Sequence, residues 1–128
     1  MDVAQHWHAY EWTGHERPHD SVRIDPSNGT PPLEIAHWLR KPARHVAHTF
    51  DNSEDGVSRA SGWMRKGGEE NPHLDEAAFG LDARMTYVDD DLRRGADALW
   101  GYYSGRGRYV SRALIACPRG GTPCPYGR

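Results

Sequence analysis

Between Val3 and Trp12 the side chains alternate with a period of two. Val3, Trp7 and Ala9 fall on one side, and His6, His8, Tyr10 and Trp12 on the other, which predicts a strand. Gly14 and Pro18 interrupt this pattern. Val22 and Ile24 predict a short strand over Ser21 to Asp25, closed by the turn residues Pro26-Ser27-Asn28-Gly29. Thr30 then has the character of a helix N-cap, with Pro31 at the first helical position. Leu33, Ile35, Ala36, Trp38 and Leu39 form an apolar stripe that Pro42 terminates.

Alternation returns in His45 to Phe50 and in Val57 to Met64, on either side of an acidic stretch at 51–56. That is the pattern of a hairpin. Leu74 to Phe79 predicts a short helix and Arg84 to Val88 a strand. Asp89, Asp90 and Asp91 precede Leu92, Ala96, Leu99 and Tyr103, spaced four, three and four apart. This predicts a helix with acids at its positive end. Arg108 to Cys117 alternates once more, with Tyr109, Ser111, Ala113, Ile115 and Cys117 on one side.

The expected architecture is α+β: a small mixed or antiparallel sheet of about five to six strands with two main helices packed on one face. Residues 1–117 read as a single domain and 118–128 as a Pro/Gly-rich tail.

Composition narrows the class. Only 37% of the 128 residues are apolar, but five Trp and six Tyr supply large packing units. No apolar run approaches the ~18 residues of a membrane span. The first residues carry no basic-then-apolar leader, and two cysteines are too few for a secreted disulfide scaffold, so the cytoplasm is the expected location. Fourteen Arg against two Lys, with much Ala, Gly, Asp and Pro, reads as the usage of a GC-rich bacterial genome. Charge is divided. Residues 1–91 carry a net −8 and residues 92–128 a net +6.

Several groups of residues could carry chemistry. His15-Glu16-Arg17-Pro18-His19 has the H-E-x-x-H spacing that zinc peptidases use on a helix, but Pro18 inside it opposes a helix. His6 and His8, two apart on a strand, point the same way and could chelate one ion. Cys117 and Cys124, paired with two histidines, could complete a zinc site, although their separation is wider than the usual two to four residues. A buried Cys117 with an exposed Cys124 is the plainer reading. Asp51-x-Ser53-x-Asp55-Gly56 imitates a calcium loop but has Gly62 where the bidentate glutamate belongs.

A further group is basic and aromatic: Arg93, Arg94, Tyr102, Arg106, Arg108 and Arg112. Arg grips phosphates and exposed rings stack on bases. The leading expectation is therefore a small binding module contacting a phosphate-bearing partner, nucleic acid or another phosphorylated ligand, through this segment. The alternatives are a small metal-dependent enzyme using His6, His8, His15, Glu16 and His19, and an accessory protein using Trp7, Trp12 or Trp63 to anchor a protein or small-molecule partner.

Overall fold

The computed structural model describes residues 5–25, 29–71 and 80–127. Its frame is a pair of long strands. β1 (His6–Gly14) runs antiparallel to β4 (Tyr109–Cys117) over nine residue pairs, from His6 opposite Cys117 to Gly14 opposite Tyr109. β2 (His48–Asp51) extends the sheet beyond β1, and β3 (Ala98–Tyr103) extends it beyond β4. The order is β2-β1-β4-β3, antiparallel throughout.

β4 is buried from Val110 to Cys117, as a central strand covered on both faces must be. On the first face Trp7, Ala9, Ala98, Leu114 and Ala116 pack against Ala60 and Met64 of α2 (Glu54–Glu69) and Met85, Val88 and Leu92 of α3 (Leu81–Arg93). On the second face Tyr10, Ala113, Ile115 and Cys117 pack against Trp38 and Leu39, from the 3-10 helix Ile35–Arg40, and against Cys124. The Tyr10 and Trp38 rings stack at 4.9 Å.

The α+β class agrees with expectation, but the two main helices, α2 and α3, are not the two that the sequence pattern predicted. The strand count also differs: the described residues form one four-stranded sheet. Ser21 to Asp25 is not a strand, because Asp20–Arg23 makes one helical turn, α1. The Pro31–Leu39 helix contracts to the 3-10 segment. The Leu74 to Phe79 helix lies outside the described residues.

The second half of the expected hairpin, Val57 to Met64, is helical. The acidic stretch before it is a cap: the Ser53 hydroxyl accepts from the Gly56 N–H at 2.9 Å, and Glu54 and Asp55 sit in the first turn, facing the helix dipole. Gly56 is needed there, because a Cβ would collide with the Asp51 carboxylate and carbonyl.

Arg84 to Val88 is also helical. Leu81, Met85, Val88 and Leu92 repeat the four-three-four spacing one helix earlier than expected, and three of them are core residues. Asp89 to Asp91 therefore lie in the last turns of α3. There Asp90 and Asp91 meet Arg93 and Arg94 one turn on. Gly95, at φ +77°, ends the helix with its N–H on the Leu92 carbonyl. The chain then re-enters the sheet as β3, so Leu99 and Tyr103 alternate on a strand.

Replacing the α2 cap, Ser53→Ala, should lower stability by about 1 kcal/mol. Chemical denaturation checks this; an unchanged midpoint would mean that the cap does not support the helix.

Candidate metal centre

The register of β1 and β4 builds the site. His6 and His8, two residues apart, project from the same face of β1. Cys117 lies directly opposite His6, on the same face. The chain beyond β4 then folds back and delivers Cys124, 6% exposed, to the same point. The backfold has its own anchor: Arg119 makes two bonds, 2.8 and 2.7 Å, to the carboxylate of Asp97 just before β3. That carboxylate also accepts the Ala116 N–H at 2.7 Å.

The four donor atoms of His6, His8, Cys117 and Cys124 all lie within 4.8 Å of one another, so the group could hold a metal ion. The histidine Nε2 atoms approach to 3.2 Å, and His8 Nε2 stands 3.4 Å from Cys124 Sγ. His8 Nδ1 is 2.9 Å from Thr49 Oγ1 on β2. With the Nδ1 proton donated to Thr49, the Nε2 lone pair points into the group, the arrangement that orients a metal-binding histidine. The Tyr126 ring closes over His8 at 5.6 Å.

The protonation chemistry suits a cation. Burial, helped by His6, lowers His8 to about 4, so the ring is neutral near pH 7 and free to ligate. Burial pushes the Cys117 thiol up to about 12, with the Cys124 sulfur adding to the effect. The Cys117 sulfur therefore stays protonated near pH 7, and binding a cation there would displace that proton. Among the buried polar groups without a partner is the Tyr10 hydroxyl, in the same cluster as both cysteines. An unpaired O–H beside two sulfurs is a donor that thiolates would use.

Not every candidate residue comes to this point. His6 and His8 are central, whereas His15, Glu16 and His19 lie exposed on the loop after β1, outside the group. Cys124 is buried with Cys117, against the plainer reading of the sequence. The clues to this site were present but separate: a His-x-His pair on one predicted strand and a cysteine ending another.

The basic and aromatic set divides. Arg93 and Arg94 pair with Asp90 and Asp91 on α3. Arg112 is 7% exposed, bound to Glu11 at 3.2 Å and to the Trp63 carbonyl, with its guanidinium over the Trp63 ring at 4.6 Å. Tyr102 is buried beside it, while Tyr103 is 45% exposed. A helix through this segment would have placed them the other way round, and strand alternation reverses it. Arg106 and Arg108 are exposed on the turn between β3 and β4. Of the possible tryptophan anchors, Trp7 is buried with its indole N–H on the Ala96 carbonyl, and Trp12 and Trp63 are half-buried.

No protein family model, curated protein or solved structure matches this chain. Among the described residues no helix is long and apolar enough to cross a membrane.

Burial, reinforced by Glu70, pushes Tyr102 up to about 12 from an ordinary 10.0. A raised folded-state value means stability that is intact below pH 10 and lost as pH rises toward 12. The loss should reach roughly 2–3 kcal/mol. Denaturation between these limits should show a steep fall in wild type and a shallower one in Tyr102→Phe; equal slopes would contradict the assignment.

Proposed function

We propose that this protein is a zinc-binding domain, in which one ion held by His6, His8, Cys117 and Cys124 fastens the C-terminal segment onto the second face of the sheet. The observation that carries the reading is the convergence of two imidazoles and two sulfurs drawn from three separate stretches of chain. Tetrahedral zinc with bonds of about 2.0–2.1 Å to nitrogen and about 2.3 Å to sulfur has ligand–ligand edges of roughly 3.3–3.8 Å. The contacts of 3.2 and 3.4 Å fit those edges, and the outer limit of 4.8 Å closes by about 1 Å as the ion draws the donors in. Mixed thiolate and imidazole donors favour zinc over the hard cations, which take oxygen.

A structural role follows from the ligand count. Four protein donors fill a tetrahedral ion and leave no position for substrate or activated water. A metal-dependent enzyme is the weaker reading for a second reason. A groove of about 540 Å³ between the start of β1, α2 and α3 has Ser61 donating to Asp89 at 2.6 Å, with no histidine among its lining residues to act as a base. The ion has a clear task, because the second face is covered by few side chains. A ligand at about 100 times its dissociation constant adds about 2.7 kcal/mol, roughly 10 °C in melting temperature for a domain of this size.

Purified protein should bind one equivalent of zinc, and cobalt in its place should give the intense visible bands of a tetrahedral thiolate site. Chelation should lower the melting temperature by roughly 10 °C, and Cys124→Ser should weaken binding at least tenfold. Less than about a tenth of an equivalent after refolding with zinc, with melting unchanged by chelator, would exclude the site.

A further inference from the structure

The metal group and Trp38 occupy only part of the second face of the sheet. At the opposite end, where β1 and β3 finish and β4 begins, the same face carries Trp12, Tyr109 and Tyr103. Their order is set by pairing: Gly14 opposite Tyr109, and Tyr109 opposite Tyr103. Tyr103 is 45% exposed, and Tyr109 and Trp12 are half-buried. Two glycines shape this surface. A Cβ at Gly14 would collide with the six-membered ring of Trp12, and one at Gly101 with the hydroxyl of Tyr109. These side chains therefore lie along the sheet over the glycines rather than standing off it. Tyr103 meets Tyr109 edge to face at 5.2 Å, and its hydroxyl accepts the backbone N–H of Arg17 at 3.2 Å.

Cations rim the platform. Arg106 and Arg108 project from the turn that joins β3 to β4, immediately beyond Tyr103 and before Tyr109. Gly107, at φ +75°, and the Gly107 N–H to Ser104 carbonyl bond hold that turn. Elsewhere Arg59, Arg93, Arg94, Arg112 and Arg119 are each committed to a carboxylate. Among the described residues the guanidinium groups of Arg106 and Arg108 make no ion pair.

We infer that this end of the sheet binds single-stranded nucleic acid, with bases stacked on Tyr103, Tyr109 and Trp12 and the backbone phosphates held by Arg106 and Arg108. Flat aromatic surfaces accept any unpaired base, and guanidinium groups free of carboxylates are available to phosphate. A duplex hides its base faces and cannot use the rings. The surface is separate from the metal group, so absence of zinc would leave this inference standing.

The test is fluorescence anisotropy of the full chain with labelled oligothymidylate and oligouridylate of roughly 12 nucleotides, and with a duplex of equal length. Single strands should bind in the micromolar range at low salt, at least tenfold more tightly than duplex. The logarithmic salt slope should be about −1.4 for two phosphates neutralised. Arg106→Glu with Arg108→Glu, and separately Tyr103→Ala with Tyr109→Ala, should each weaken binding roughly tenfold or more. Arg93→Glu with Arg94→Glu, on α3, should leave it unchanged. Circular dichroism establishes that each variant is folded, and Arg106→Gln with Arg108→Gln replaces the glutamate pair if that pair is not. Three results would overturn the inference: no binding below about 100 µM at low salt, duplex bound as tightly as single strand, or wild-type affinity in the folded arginine variant.

Discussion

The nine-pair register between β1 and β4 is the constraint on which the rest of the molecule depends. It sets His6 opposite Cys117 and Tyr10 opposite Ala113, and it divides the residues of both strands between the two faces. A slip of one residue would send Trp7 and Ala9 to the second face and His6, His8 and Tyr10 under the helices. The slip is opposed on both sides, because each face buries its own set: Trp7 and Leu114 against α2 and α3, and Tyr10 and Ile115 against Trp38. Arg112 reinforces it from the helical side. Its pairing with Glu11 and its seat on Trp63 exist only in this register.

The two faces are unequally furnished. Helices α2 and α3 cover the first with methionines, valine and leucine in regular spacing. The second has one 3-10 segment and a chain end rich in proline and glycine, which brings little apolar area. A domain with so modest an apolar fraction gains much from a single strong crosslink on its thinner side. The proposed four-ligand ion would supply such a link. The opposite end of the same face remains open, and there the exposed rings are flanked by cations instead of being packed.

Much of this was legible in the sequence one strand at a time. The alternation in Val3 to Trp12 placed His6, His8, Tyr10 and Trp12 together, and that in Arg108 to Cys117 placed Cys117 with Ile115 and Ala113. Both assignments hold. What alternation cannot show is that these strands are neighbours, since about a hundred residues separate them and no local signal encodes the pairing. Nor does it show that the chain beyond Pro118 turns back. α2 was hidden for a different reason. It contains Gly56, Gly62, Gly67 and Gly68, poor helix formers, so its apolar residues read as a strand. Tertiary contact explains three of them: Gly56 approaches Asp51, Gly67 the side chain of Arg112, and Gly68 Leu81 and Trp100. In α3 two overlapping four-three-four patterns competed, and the one whose residues reach the core prevailed, with Gly95 closing it.

The origin of the four donors bears on how such a centre would work. His6, His8 and Cys117 sit on two paired strands, so three donors are positioned by the sheet itself before any ion arrives. Only Cys124 comes from irregular chain. At the proposed centre, metal binding and docking of the C-terminal segment would be one equilibrium, because the fourth donor arrives only when the segment lies down. The entropy of that step is limited in two ways. The loop from Cys117 to Cys124 is short, and closing a short loop removes little freedom. The paired bonds from Arg119 to Asp97 hold the loop partway along, next to the sheet. Asp97 also binds the backbone of Ala116 on β4, so the same carboxylate secures both the strand that presents Cys117 and the segment that delivers Cys124. Outside the proposed ligand set, Asp97 therefore links sheet register directly to the placement of Cys124.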